Sequence, residues 1–135
     1  MKKLSYFLFV FSFFVLLFSI GGFFFAHKPI QTNTFYASVN VTDGIGFDIN
    51  STALTFGNVV KGGSSNRNIN LLNDYPFPVV AVIRVDGDIS PLLNYEDAVG
   101  IKSNESKKLS FNVIAPVSYD ENFYSGNVTV ELYRR

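Results

Sequence analysis

From Phe35 to Leu132 the chain alternates apolar and polar residues with a period of two, in short stretches broken by Gly, Pro, Asn and Asp. Period two is the repeat of a strand, whose successive side chains point to opposite faces. Each such stretch must bury one face against another sheet. Phe35, Ala37, Val39 and Val41 share one face, opposite Tyr36, Ser38, Asn40 and Thr42. Asp43-Gly44 supplies a turn, Phe47 and Ile49 resume the alternation, and Leu54 and Phe56 carry it on until Gly57 and the turn residues 62–65 end the strand.

The signal recurs downstream. Residues 67–72 present Ile69 and Leu71 on one face and run into the turn-rich Asn73-Asp74-Tyr75-Pro76-Phe77-Pro78. Residues 79–85 are apolar on both faces apart from Arg84, which suits a central strand. A long connection, 87–106, has room for a turn of helix near 91–95 and a short strand near 99–102. Leu109, Phe111 and Val113 alternate up to Pro116, and Gly126 introduces a last strand carrying Val128, Val130 and Leu132. About seven short strands in about 100 residues, with no long amphipathic helix, predict an antiparallel β-sandwich of immunoglobulin-like type over 35–135. A domain of that size buries enough surface to fold alone.

The amino-terminal part follows a different rule. Leu4 to Ala26 contains no charged residue and is dominated by Phe, Leu and Val, after Lys2 and Lys3. As a helix it would reach about 35 Å, enough for a hydrocarbon core of about 30 Å. The expectation is a signal anchor over 1–27 that holds the lipid bilayer through residues 4–26, then a short stalk over 28–34 begun by Pro29. Cleavage as a secretory signal is the competing reading. It is disfavoured because a cut after Ala26 leaves bulky Phe24 at the third position, and Ser19-Ile20-Gly21 is followed by further apolar residues. The positive charge before the run would keep the amino terminus cytoplasmic and place the domain outside, extracellular or periplasmic. With no cysteine in the chain, lipoprotein processing is excluded and the domain must hold without disulfides.

The run LTFGNVVKGGSSNRNINLLNDYPFPVVAVIRV, followed by SKKLSFNVIAP and FYSGNVTVEL, resembles the immunoglobulin-like domains of the Hydin and major-sperm-protein class. It is similar also in layout to small membrane-anchored β-sandwich proteins. The resemblance covers roughly 54–132 and implies a scaffold for protein contacts, with no chemistry of its own.

Composition points the same way. His27 is the only histidine, so no triad or multi-histidine metal site can form within one chain. Asp86 and Asp88, Glu96 and Asp97, and Asp120 and Glu121 have no EF-hand spacing and read as solvated turns. No enzyme, cofactor or metal is expected. A net charge of zero and the absence of a basic stripe exclude nucleic acid as a partner. Two sets of residues stand out. Tyr75, Phe77, Tyr119, Phe123 and Tyr124 are candidates for an aromatic binding tip, against the alternative that they plug the ends of the sandwich. Asn40, Asn50, Asn104 and Asn127 open Asn-x-Ser/Thr sequons and are candidate glycosylation sites, against the alternative that they serve as polar strand faces.

The function expected from these residues is a non-enzymatic, membrane-anchored structural or protein-interaction module of the cell envelope, with a protein partner outside the membrane. Two alternatives stay open. One is a signal-cleaved secreted subunit of a surface filament that assembles through sheet edges or strand exchange. The other is an accessory subunit that docks its Phe-rich helix within a membrane complex, although Gly21-Gly22 makes no Gly-x-x-x-Gly face.

Overall fold

A computed structural model describes residues 2–26, 28–43 and 53–135, with helix side chains described over 6–22. Helix α1 spans Lys2–Ala26. The strands are β1 (Gln31–Thr42), β2 (Leu54–Val60), β3 (Ser64–Leu72), β4 (Val79–Gly87), β5 (Leu93–Asn94), β6 (Ala98–Ile101), β7 (Ser106–Ile114) and β8 (Asn122–Arg134), with a 3-10 turn at Ser90–Leu92 before β5.

Two sheets enclose the core. One has five strands in the order β2-β1-β8-β4-β6 and curves as a half-barrel; the other has three, in the order β3-β7-β5. Between them lie Ala37, Val39 and Val41 of β1, Leu54, Phe56 and Val59 of β2, and Val128, Val130 and Leu132 of β8, all buried. Phe111 and Val113 of β7 meet them from the smaller sheet. The alternation that predicts strands thus also places the correct faces inward, because a half-buried strand has only one register that hides its apolar set.

The expected fold needs three corrections. First, the sandwich is not purely antiparallel. β1 runs parallel to β2, pairing Ala37 with Leu54 and Thr42 with Val60, while it pairs antiparallel with β8 from Gln31↔Leu132 to Val41↔Asn122. The first strand therefore sits inside the larger sheet, an order that differs from the immunoglobulin-like arrangement expected. Alternation fixes a strand's faces and leaves its neighbours undetermined.

Second, two glycines read as strand boundaries lie within strands. Gly57, at a φ of 70°, sits where the β1–β2 register shifts, so β2 passes it as a bulge and runs on to Val60. Gly126 lies mid-strand in β8, where an added Cβ would come within 1.9 Å of the Asp86 carbonyl oxygen. Only a residue without a side chain admits β4 so close.

Third, the anchor is not supported. Among the described residues no helix is long and apolar enough to cross a membrane. This corrects the expected bilayer span through residues 4–26, together with the single-pass placement and outward orientation drawn from it. The sequence expectation weighed the absence of charge along the run, whereas the helix also carries Tyr6, Ser12, Ser19 and Gly21, which lower its apolarity.

The smaller expectations fare better. β4 lies between β8 and β6, as its two apolar faces require. The helical turn near 91–95 is the 3-10 turn, and the strand near 99–102 is β6. The strand expected around Phe47 and Ile49, the turn glycine Gly44, the sequon at Asn50 and the lone His27 fall outside the described residues.

Candidate functional site

The aromatic residues proposed as one tip are divided between the two ends of the sandwich. Tyr75 and Phe77 lie in the β3–β4 loop, stacked with ring centroids 5.4 Å apart. The Arg134 guanidinium carbon sits 4.4 Å from the Phe77 ring centroid, a cation–π contact. Tyr119 and Tyr124 lie where β8 begins, with centroids 5.9 Å apart and planes tilted by 56°. Tyr124 and Arg134 are ten residues apart on one extended strand, so about 33 Å separates the clusters. All four rings pack in part against the core. Phe123 alone of the five is exposed, at 55%.

The Tyr75 end is held by a buried polar hub absent from the sequence expectation. Asn73 has no exposed surface. Its Nδ2 donates to the backbone oxygens of Phe77 at 3.0 Å, Lys102 at 2.9 Å and Ile101 at 3.3 Å, and its Oδ1 accepts from the Tyr75 N–H at 3.1 Å. The last bond is an Asx turn, for which Asn is chosen because its side chain imitates a backbone carbonyl. Ser103 Oγ donates to the Tyr75 oxygen at 2.8 Å and Glu105 accepts from the Lys102 N–H at 2.8 Å, so the β3–β4 and β6–β7 loops form one knot. Sequence marks Asn73 as a turn residue only; nothing local to it announces burial.

Of the four sheet edges, β5 and β6 are short, β2 is covered in part, and β3 is a nine-residue edge of the smaller sheet. β5 has two residues and β6 four. On β2, the Thr55 carbonyl accepts from Arg67 Nε at 2.7 Å and the Phe56 carbonyl from Ser65 Oγ at 3.0 Å, both donors lying on β3. Such devices block pairing between sheets of different molecules.

The outer face of the five-stranded sheet is the broad uncovered surface. It presents Thr34 and Tyr36 from β1 and Phe123, Asn127 and Thr129 from β8; Tyr36 is 49% exposed. Thr34 and Thr129 face each other with hydroxyl oxygens 3.4 Å apart. Toward β4, Glu131 Oε2 accepts from the Tyr133 hydroxyl at 3.0 Å and meets Arg84 Nη1 at 3.5 Å. The hydrogen bond to Glu131 raises the Tyr133 pKa above the ordinary phenol value, helped by desolvation and the Glu131 charge, with Arg84 acting against it.

The sequons fall in different settings. Asn40 is half-buried in β1 and its Nδ2 donates to Asn58 Oδ1 at 3.1 Å. Asn104 is exposed in the β6–β7 loop at a φ of 56°, a left-handed conformation that Asn tolerates. Asn127 is exposed on β8. The carboxylates stay dispersed, and among the described residues no group of three or more Asp, Glu, His or Cys could hold a metal ion. Glu121 instead pairs with Lys61 at 3.4 Å.

Comparison of the chain with family models, with curated proteins and with solved structures finds no match. Nothing in these comparisons identifies a Hydin or major-sperm-protein domain.

Proposed function

We propose that this chain is a non-enzymatic structural module that works through protein–protein contact, using the outer face of its five-stranded sheet. The observation that carries this reading is the composition of that face. Tyr36, Phe123, Thr34, Thr129 and Asn127 stand on paired strands, and such side chains have few rotatable bonds. A partner that covers them loses little rotamer entropy, whereas covering a face of Lys and Glu would cost more per side chain. Two exposed aromatics among hydroxyls and amides is also the mixture that contact surfaces favour, since the ring supplies area and the small polar groups supply adaptable hydrogen bonds.

Photocrosslinking of the full chain in its own cells tests this. A benzoylphenylalanine placed at Tyr36 or Phe123 is expected to give discrete protein adducts. The same probe at Asp88 or Lys108, exposed away from that face, is expected to give none. Equal labelling at all four positions, or no adduct at 36 and 123, overturns the proposal.

A further inference from the structure

Resting on the reading that the chain works through protein contact, we infer that β1 is an exchangeable strand whose partner is a second copy of this chain. In the exchanged form, β1 of one copy seats between β8 and β2 of another.

The argument begins with what β1 does inside one copy. It pairs on one side with β8 and on the other with β2, and among the described residues β2 has no other partner in its sheet. Without β1 the five-stranded sheet opens into a slot, with the β8 ladder on one wall and β2 on the other. Ala37, Val39 and Val41, each at most 1% exposed, are the inward side chains that fill it. The two valines alone bring several kcal/mol of apolar burial. An extended segment that donates a ladder of backbone hydrogen bonds and fills alternate pockets is the β-augmentation mode of recognition. Here the segment and its slot belong to one sequence, so every copy carries both.

The connections of β1 leave the choice of slot open. It is the first strand of the domain, joined on one side only to α1. On the other side residues 43–53 link it to β2. Eleven residues span at most about 36–40 Å. The route within one copy, from Thr42 back to Leu54, which lies level with Ala37, needs about 17 Å. The linker has reach to spare for a neighbouring slot. Both forms contain the same β1–β8 and β1–β2 interfaces, so their balance depends on effective concentration and linker entropy. Exchange of this kind forms a closed dimer when two copies trade strands, or an open chain when each donates to the next.

Three of the four sheet edges give an added strand little to pair with. β5 and β6 are too short to template another strand, and the outer carbonyls of β2 are occupied by Arg67 and Ser65. Addition at those edges is therefore hindered, whereas β3, a nine-residue edge paired only with β7 among the described residues, stays open to it.

The test uses the absence of native cysteine. Two tagged full-length chains are co-expressed, one carrying Thr34→Cys and the other Thr129→Cys, so that exchange can occur as the chains fold. These hydroxyls lie 3.4 Å apart across the β1–β8 pair, within reach of a disulfide once both are sulfur. Within one copy neither variant can form that bond. The expected result is a disulfide-linked heterodimer on a non-reducing gel, at least about tenfold above a control pair of Thr34→Cys with Asp88→Cys, which reports mere proximity. A single chain carrying both Thr34→Cys and Thr129→Cys verifies the register by forming the bond in any arrangement. A heterodimer no more abundant than the control, with that register verified, overturns exchange. Adducts at Tyr36 and Phe123 would then leave the contact reading standing, so the two failures are distinguishable.

Discussion

Replacing Asn73 with alanine is expected to cost about 3–4 kcal/mol of folding stability. The side chain donates to three backbone oxygens and accepts from one N–H while fully buried. Its amide nitrogen has two hydrogens, so the 3.3 Å contact to Ile101 shares one of them, and the count is two full donated bonds and one accepted. At about 1 kcal/mol net each these give about 3 kcal/mol, and carbonyls left without a partner in the interior add to it. For a domain of roughly 100 residues this shifts Tm by about 12–20 °C. Asn73→Asp separates hydrogen bonding from volume, because it keeps the shape but turns a donor toward three carbonyl oxygens into an acceptor. Burial among those oxygens raises the folded-state pKa of the introduced carboxyl. Between the unfolded and folded values the folded state binds more protons, so this variant is expected to regain stability relative to wild type as pH falls. Urea unfolding followed by circular dichroism from pH 4 to pH 7 measures both effects. An alanine cost under about 1 kcal/mol, or an aspartate penalty independent of pH, would refute the hub.

Three further outcomes follow from the same geometry. Gly126→Ala drives a Cβ to 1.9 Å from the Asp86 carbonyl oxygen and is expected to cost about 3 kcal/mol or more; Gly87→Ala meets Gly126 Cα at 2.6 Å, so calorimetry of the double variant should show less than the sum. Thr55→Val removes a buried hydroxyl that has no hydrogen-bond partner and is expected to be neutral or to raise stability by about 0.5–1 kcal/mol, seen as a small increase in the denaturation midpoint. Glu131→Gln is expected to return the ionisation of Tyr133 toward its ordinary pH of about 10, read as a difference in phenolate absorbance between variant and wild type. The raised Tyr133 value contributes stability below the ordinary phenol range that is lost as pH climbs through the folded value. Wild type should therefore lose more stability than Glu131→Gln above that range.

Faces were legible in the sequence where order was not. Phe35, Ala37, Val39 and Val41 face inward as their alternation requires, because that pattern is a property of the strand alone. The parallel neighbour of β1 depends on residues far along the chain, and no local pattern encodes it. Gly57 and Gly126 show a related limit. A glycine marks a place where the backbone needs freedom or closeness, and turn, bulge and close crossing all meet that need. The aromatic residues were recognisable as a set, but their separation to two ends came from the length of β8, whose thirteen residues carry Tyr124 and Arg134 to opposite poles. Asn73 was hidden for a different reason: its burial is created by the β6–β7 loop, whose Lys102 carbonyl lies 29 residues away in sequence.

The pairing of Gln31 with Leu132 brings the junction between α1 and the domain to the same pole as Arg135. The loop before Asn122 lies about 40 Å away at the other pole. A fluorophore at Arg135 therefore watches the base of the helix, while one near Asp120 is blind to it. In an assembly joined by shared strands, the helix base beside a given Arg135 belongs to a different molecule. A donor at one carboxyl end and an acceptor at another chain's Lys28 would then report each junction as a distance.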